Sequence, residues 1–308
     1  MATHADIVVD AANPVVNKRK LVWQHCPAKT KPGLEIGPHT NPIFRKRDGF
    51  IVKHLETRST EELTDLVKSR GHDPSIVEPI DYVLDRSMSL FENVGKSLFD
   101  WVTSSHVVEH IPDFIGHLHE VASILSLKGR YVLLIPDRNF TFDCMRMPST
   151  LGDLTEACLN NHQKSSIRHV VDNLRYAAMP EHQKVGGWTN TEANPTVYLK
   201  HKHWRGKIRD LIQSKGENLN EGDYDHQWVF DPVSFSALMA DCVEIELLHS
   251  MQLVKIMPTY NMDFLAVFEK VPTVKSAPIR RLQAAIEASY HPPKYKTCID
   301  PIGLNRRT

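Results

Sequence analysis

The apolar run Tyr131–Ile135, which reads Tyr-Val-Leu-Leu-Ile, constrains the fold of this chain more than any other feature. A strand that is apolar on both faces is typical of the middle of a parallel sheet covered by helices. Upstream, apolar residues between Phe114 and Leu125 recur at helical spacing, and Lys128-Gly129 is predicted to end that helix with a C-cap glycine. This order predicts a doubly wound α/β fold.

Short strands and helix starts extend the same alternation in both directions. Ser59 and Glu62 have the spacing of a capping box, which predicts a helix start, and Asp231-Pro232 predicts another, with an acid at the N-cap and proline in the first turn. The further strands are predicted at Gly33–Ile36, Phe50–Val52, Ile76–Ile80, Leu98–Thr103, Val243–Leu248 and Asp263–Glu269.

The alternation weakens between residues 144 and 225, where histidines, aromatic residues and polar turns replace it. We expect a largely helical insertion there. The predicted organisation is an N-terminal arm or lid (1–30), a Rossmann-like core (31–143), the insertion (144–225), a segment that completes the core sheet (226–272) and a C-terminal tail (273–308).

Composition excludes several classes of function. Among 308 residues the 37 basic and 37 acidic side chains cancel, so no overall charge attracts nucleic acid. No apolar run approaches the roughly 18 residues of a membrane span, and no apolar core of a signal peptide is evident, so we expect a cytoplasmic protein. The five cysteines contain no Cys-x-x-Cys pair, which disfavours structural zinc and a disulfide framework.

Acidic residues and a glycine stand where the predicted strands end. Glu35 and Gly37 close the first strand, and Glu56 follows the second. Glu35 could accept from an ammonium group or organise the neighbouring loop, Gly37 allows close approach of a ligand, and Glu56 could accept from both hydroxyls of a ribose. Asp81, after the third strand, completes the set.

The glycines that a phosphate group requires are missing. Gly37 is followed by Pro38 and His39, so the Gly-x-Gly-x-x-Gly turn of dinucleotide sites is absent, and no Gly-x-x-x-x-Gly-Lys-Ser/Thr loop occurs either. The predicted ligand is therefore a nucleoside without phosphates.

Several motifs, taken in order, resemble the class I S-adenosylmethionine-dependent methyltransferases, in particular the type-11-like group often associated with bacterial glycan biosynthesis. The similarity covers roughly residues 33–143 and 224–271. Trp228 departs from the group, where a second histidine is common. The motifs are Glu35–Pro38, Glu56, Ser104–Asp113 (Ser-Ser-His-Val-Val-Glu-His-Ile-Pro-Asp), Lys128-Gly129, Leu134–Asp137 and His226–Phe235.

This resemblance implies a seven-stranded sheet with an antiparallel last strand and S-adenosyl-L-methionine as the cofactor. It implies cofactor contacts at the methionine end from Glu35 and Gly37 with the adjoining Pro38, at the ribose from Glu56, beside adenine from Asp81, and near the sulfonium from Ser105 and His106. No metal ligand is expected.

The implied acceptor is a small polar molecule, most plausibly a hydroxyl of a sugar or glycan intermediate, with the insertion as a lid over it. Methyl transfer to a hydroxyl requires alignment and a base, for which the candidates are His106, Asp137 and His226. The sequence leaves the number of subunits open, a homodimer included.

Two alternatives belong to other classes. One is a non-catalytic adenosine-binding or assembly subunit that retains the fold. The other is a zinc peptidase that uses His106 and His110 as ligands and Glu109 as the base. The break at Ile111-Pro112 disfavours the peptidase, because no long helix can carry the histidine pair.

Overall fold

The structure is a computed structural model that describes residues 14–180, 187–188, 196–214, 216 and 226–297. The helices of these residues are α1 (Pro14–Trp23), α2 (Thr60–Ser69), α3 (Leu90–Asn93), α4 (Phe114–Ile124), α5 (Leu151–Leu159), α6 (Ile167–Tyr176), α7 (Trp204–Gln213), α8 (Pro232–Glu244) and α9 (Ser276–Ser289). The strands are β1 (Gly33–Ile36), β2 (Val52–Glu56), β3 (Tyr82–Val83), β4 (Phe99–Ser105), β5 (Leu125–Pro136), β6 (Ala178–Pro180), β7 (Thr196–Leu199), β8 (Met251–Pro258), β9 (Asp263–Lys270) and β10 (Lys296–Thr297).

Seven of the strands form one sheet in the order β3-β2-β1-β4-β5-β9-β8. β1 pairs in parallel with β2 on one side and with β4 on the other, and β2 pairs in parallel with β3. β8 and β9 are antiparallel. The prediction of a mostly parallel, seven-stranded α/β sheet with flanking helices is confirmed.

The chain divides into two compact units. The first comprises the described residues up to Ser104 together with Ile124–Leu133, and the second comprises Ser105–Ser123 and the described residues from Leu134 onward. In the first unit, Gly33 packs directly against the indole of Trp101, which is fully buried and donates from Nε1 to the Lys31 carbonyl (3.0 Å). This contact fixes the position of β1 beside β4.

Local sequence rules hold well at the helix starts. Ser59 accepts from the Glu62 backbone and Glu62 accepts from the Ser59 backbone, as the capping box predicts, and Leu63 and Val67 of α2 are buried. At α8, the Asp231 side chain caps the helix and Pro232 occupies its first turn. Both starts are therefore confirmed.

Two strands of the first unit differ from the prediction. β2 begins at Val52, two residues later than expected. Residues 76–80 form no strand: Pro74–Ile76 is a 3₁₀ turn capped by Asp73, and β3 begins only at Tyr82. Pro79 has no N–H for a sheet ladder. The neighbouring Glu78 is buried and accepts from the Lys46 backbone (3.1 Å), which ties this segment to a loop instead.

The predicted glycine cap at the end of α4 is wrong. α4 ends at Ile124 and β5 begins at Leu125, so Lys128-Gly129 lies within the strand. Lys128 has a positive φ of 65°, which marks a local irregularity of β5. The apolar run Tyr131–Ile135 is buried within β5, as the sequence predicted.

In the second unit, one predicted strand is wrong. Val243–Leu248 was predicted as a strand, but α8 continues to Glu244 and the strand that follows is β8. The positive φ of Glu246 (60°) marks the turn between them. The core of this unit is an aromatic cluster in which the ring centroids of neighbouring pairs lie 5.1 to 6.3 Å apart, formed by Phe114, Trp228, Phe230, Phe235, Phe264 and Phe268.

The insertion contributes α5, α6 and α7 and two strands of a small sheet. β6 pairs with β7 antiparallel, and β10 from the predicted tail pairs with β7 in parallel. Trp188 donates from Nε1 to the Tyr295 hydroxyl (3.1 Å), which links the insertion to the C-terminal segment. Parts of the insertion (181–186, 189–195, 215 and 217–225), the arm before Pro14 and the end of the tail lie outside the described residues. Among the described helices, none has the length and apolar character that crossing a bilayer requires.

The contact between Gly33 and Trp101 generates a stability prediction. A Cβ at Gly33 would lie 1.9 Å from the indole, so Gly33→Ala should destabilise the protein by roughly 3 kcal/mol through overpacking. Gly206→Ala is the control, because no atom lies within 4 Å of a Cβ there, and alanine should stabilise α7 by about 0.5 kcal/mol. Urea denaturation of the three proteins measures both effects. Equal midpoints for Gly33→Ala and the wild type would refute the packing described.

Candidate functional site

The carboxyl ends of β1 and β2 form one edge of the first unit. The register pairs Ile36 with Leu55, so Gly37 lies beside Glu56, the last residue of β2, and the Gly37 N–H donates to the Leu55 carbonyl (2.9 Å). Gly37 has a φ of 68°, in the region that favours glycine. Ile36 also pairs with Ser104 of β4. The strand order switches between β1 and β4, because β2 and β3 are added on one side of β1 and the later strands on the other. Open α/β sheets bind ligands at such a switch point.

Glu56 is buried at this edge and holds the loop that follows β1. Its Oε2 accepts from the His39 backbone (2.9 Å), and its Oε1 accepts from the Thr57 backbone (2.7 Å) and hydroxyl (2.9 Å). A carboxylate oxygen offers two acceptor positions. Oε2 therefore keeps the capacity to accept from one hydroxyl of a bound ligand.

Glu35 faces the protein interior. Its two carboxylate oxygens accept from the backbones of Ile43 (2.6 Å) and Phe44 (2.9 Å), and burial raises its pKa to about 7. Of the two roles considered from the sequence, this geometry favours organisation of the loop. Pro38 begins the same loop and is buried.

Asp81 does not follow a strand, because the predicted strand over residues 76–80 is absent. It precedes β3 and accepts from Lys46 Nζ (2.5 Å), Lys53 Nζ (2.8 Å) and the His54 backbone (2.8 Å). Burial opposes its ionisation, but these donors overcome that effect and lower its pKa. The position beside the carboxyl end of β3 belongs instead to Asp85, an exposed acid after Leu84. In the sequence, the apolar run Tyr82-Val-Leu84 followed by this acid indicates both the strand and the residue at its carboxyl end.

Ser105 and His106 follow β4 at the start of the second unit. Ser105 is partly buried and ends the strand. His106 has a positive φ of 54°, and its backbone donates to the Leu134 carbonyl (3.0 Å). Its Nε2 hydrogen-bonds Asp263 (3.1 Å), while 32% of the side chain is exposed. A bound molecule can reach this imidazole.

Asp137 is fully buried and holds the C-terminal segment. Its Oδ2 accepts from the Tyr290 hydroxyl (2.6 Å), and its Oδ1 accepts from the Asn139 backbone (3.0 Å). Burial raises its pKa to about 7 against the effect of these hydrogen bonds. A carboxyl with both oxygens engaged in the interior is placed to organise structure.

His226 is buried in a charged cluster of the second unit. Its Nδ1 hydrogen-bonds Asp143 (2.5 Å), and Arg146 Nη1 donates to the same carboxylate (2.6 Å) and to the His226 carbonyl (2.8 Å). Burial opposes ionisation of both partners. The charges of His226 and Arg146 nevertheless lower the pKa of Asp143 to about 2, and Asp143 raises the pKa of His226. Among the base candidates, only His106 is more than marginally exposed.

The helix on which the peptidase alternative depends is missing from this part of the chain. Residues Val108–His110 form a single 3₁₀ turn, and the backbone at Ile111 is already extended. His106 and His110 therefore do not share a helix face.

A surface cavity of about 570 Å³ lies away from the strand ends just described. Its lining includes Trp23, Cys26 and Phe50, which precede β1 and β2 in the chain. It therefore opens at the amino ends of these strands, whereas ligands of open α/β sheets bind at the carboxyl ends. We do not assign the candidate site to this cavity.

No family model matches the sequence, and no curated protein matches it significantly. Among solved structures, it is similar to the CcbJ methyltransferase from Streptomyces caelestis, with 14% identity over 84% of this chain and 98% of that one and a TM-score of 0.41. The N-methyltransferase NodS from Bradyrhizobium japonicum WM9 is 10% identical over 84% of this chain and 98% of that chain, with a TM-score of 0.37. The N-terminal domain of EvdMO1, solved with SAH and D-fucose, is 12% identical over 83% and 82% of the two chains, with a TM-score of 0.36.

These identities and TM-scores are too low to assign an activity. The assignment of function depends on the strand order and on the site geometry of this chain.

The buried Asp137 generates a prediction about pH. Its folded-state pKa of about 7 exceeds the ordinary 3.8, so its contribution to stability is complete below about pH 4 and is lost as the pH rises through 7. At roughly 1.4 kcal/mol per pKa unit, the upper limit of this loss is about 4 kcal/mol. Asp137→Asn removes the titrating group and retains the shape.

The difference in unfolding free energy between wild type and Asp137→Asn, measured by urea denaturation from pH 4 to 8, should therefore shift in favour of the variant as the pH rises. A difference that does not change with pH would show that Asp137 does not titrate in this range.

Proposed function

We propose that this chain is an S-adenosylmethionine-dependent methyltransferase that acts on a small polar acceptor, a hydroxyl of a sugar or glycan intermediate. The observation that carries the proposal is the position of Glu56, a buried carboxylate at the carboxyl end of β2 beside Gly37. An acid at this post accepts hydrogen bonds from ribose hydroxyls, and the glycine allows the ligand close to the backbone. The motifs that resemble class I methyltransferases support the same assignment.

The connection after β1 supports a ligand without phosphates. Between β1 and β2 the chain forms a loop with only one 3₁₀ turn, Lys46–Asp48. Phosphate groups are commonly held by the N-terminus of a helix that follows the first strand, and this connection has no α-helix. S-Adenosylmethionine has an adenosine with both ribose hydroxyls and no phosphate, so it meets this constraint where a dinucleotide does not.

The position and contacts of each side chain support the role that we propose for it. In the proposed site Glu56 would hold the ribose, and Asp85 would take the position beside adenine that the resemblance implied for Asp81. Glu35 maintains the loop that follows β1. The cofactor, when bound, would supply an electrophilic methyl group. A hydroxyl acceptor requires a base, and His106 is the candidate that an acceptor can reach, with its ring oriented by the buried Asp263.

Substitution of Glu56 tests the cofactor site. Glu56→Gln keeps the shape and removes the charge, so it should lose about 1 to 3 kcal/mol of hydrogen bonding to ribose. Affinity for S-adenosylhomocysteine, measured by calorimetry, should fall roughly 5- to 150-fold. The matched control is Asp65→Asn on α2, because Asp65 is exposed and its removal leaves the site intact.

Melting temperatures of both variants establish that the fold is retained. If a folded Glu56→Gln protein binds S-adenosylhomocysteine as tightly as the wild type does, Glu56 is not part of the site. Tight binding by the wild type without methyl transfer to any sugar would favour the alternative of a non-catalytic adenosine-binding subunit.

A further inference from the structure

The second unit contains a buried carboxylate, Glu109, surrounded by histidines. The Glu109 side chain is 1% exposed. Its Oε1 lies 3.7 Å from His106 Nδ1, 3.7 Å from His110 Nε2 and 3.8 Å from His226 Nε2. Neither oxygen of the carboxylate accepts a hydrogen bond from the residues that the structure describes.

The distances fit shared coordination better than hydrogen bonding. A separation of 3.7 Å or more is too long for a hydrogen bond, whose usual limit is about 3.2 Å. Two atoms that bind one ion at about 2.1 Å and at the tetrahedral angle lie about 3.4 Å apart, and wider angles bring them to nearly 4 Å. One oxygen of Glu109 and one ring nitrogen each of His110 and His226 all lie within 4.8 Å of one another.

The surrounding contacts orient the ligands before any ion binds. The ring nitrogen of His226 that faces away from Glu109 is held by Asp143 at 2.5 Å, the arrangement in which a carboxylate fixes the tautomer of a metal-binding imidazole. The backbones of Gln227 (2.8 Å) and Trp228 (3.1 Å) both donate to the Glu109 carbonyl. The segment that contains His226 is thereby bound directly to the turn that contains Glu109 and His110.

We propose that Glu109, His110 and His226 bind one divalent transition-metal ion, of which Zn²⁺ is the representative. Two imidazoles and one carboxylate are a common ligand set of zinc and of other first-row metals, and three protein ligands leave at least one position for water or an oxygen ligand. His110, with half of its side chain exposed, places the site within reach of solvent. The set differs from the histidine pair of the peptidase alternative, and it adds a metal that the sequence did not lead us to expect.

A contrast within the same cluster supports the proposal. Asp143 is buried like Glu109, but it hydrogen-bonds both Arg146 and His226. An ionised carboxylate without such partners is costly to bury, and a cation is the usual compensation. Because these contacts lie wholly within the second unit, the proposal is independent of methyl transfer and of the Glu56 site.

Metal titration of the full-length chain tests the proposal. After removal of metals with EDTA, competition with a colorimetric chelator should show one Zn²⁺ bound per chain, and Co²⁺ should give the visible absorption of a site with nitrogen ligands. His110→Ala should weaken Zn²⁺ binding at least about tenfold and remove the Co²⁺ bands. Because His110 is half exposed, this variant should fold normally.

Two further variants sharpen the result. Glu109→Gln should weaken binding comparably, whereas His72→Ala, which removes an exposed histidine outside the cluster, should bind like the wild type. The proposal is overturned if the wild type fails to compete with the chelator, or if His110→Ala binds Zn²⁺ and Co²⁺ as the wild type does. Calorimetry with S-adenosylhomocysteine on His110→Ala separates this outcome from a failure of the cofactor site, because its affinity should be unchanged.

Discussion

The parallel pairing of β1 with both β2 and β4 is the constraint on which the account depends. Its register places Gly37 and Glu56 side by side where the strands end, and the strand order switches between β1 and β4. The register is in turn fixed by close packing, since Gly33 has no side chain and lies against the buried indole of Trp101. A shift of β1 by one residue would turn Leu34 out of the core and separate the glycine from the acid.

The buried carboxylates of this protein fall into two groups, those that hold the structure together and those that are candidates for ligand binding. Glu35, Asp137 and Asp143 have oxygens engaged by protein donors, and each joins segments that are distant in sequence or closes a loop. Glu56 and Glu109 differ from them. Glu56 also accepts from protein donors, and it is set apart by its position at the carboxyl end of β2 beside Gly37. Glu109 is set apart by its hydrogen bonding, because it accepts no hydrogen bond from the described residues.

The sequence predicted those features that depend on neighbouring residues. The capping box of Ser59 and Glu62, the start of α8 at Asp231 and the buried strand at Tyr131–Ile135 all follow from local rules, and each is present. One error lies where a distant contact decides the local structure. Glu78 is drawn into a loop by a backbone donor more than thirty residues upstream, which displaces β3 and leaves Asp81 before the strand instead of after it.

The histidine cluster shows the same limit. Glu109 and His110 belong to one motif of the sequence, but His226 is brought to them by tertiary contacts. These include backbone and side-chain hydrogen bonds from Gln227 and Trp228 to the segment that contains Glu109. Spacing along the chain contains no trace of these contacts. The sequence spacing instead paired His106 with His110, and the 3₁₀ turn at Val108–His110 does not place these two histidines on one helix face.

A crystal structure of the chain with S-adenosylhomocysteine tests the central claim most directly. The account predicts that the adenosine lies across the carboxyl ends of β1 and β2, with a ribose hydroxyl within hydrogen-bond distance of the Glu56 carboxylate and a backbone contact at Gly37. A ligand bound instead in the cavity beside Trp23 and Phe50, or one that leaves Glu56 without contact, would contradict it.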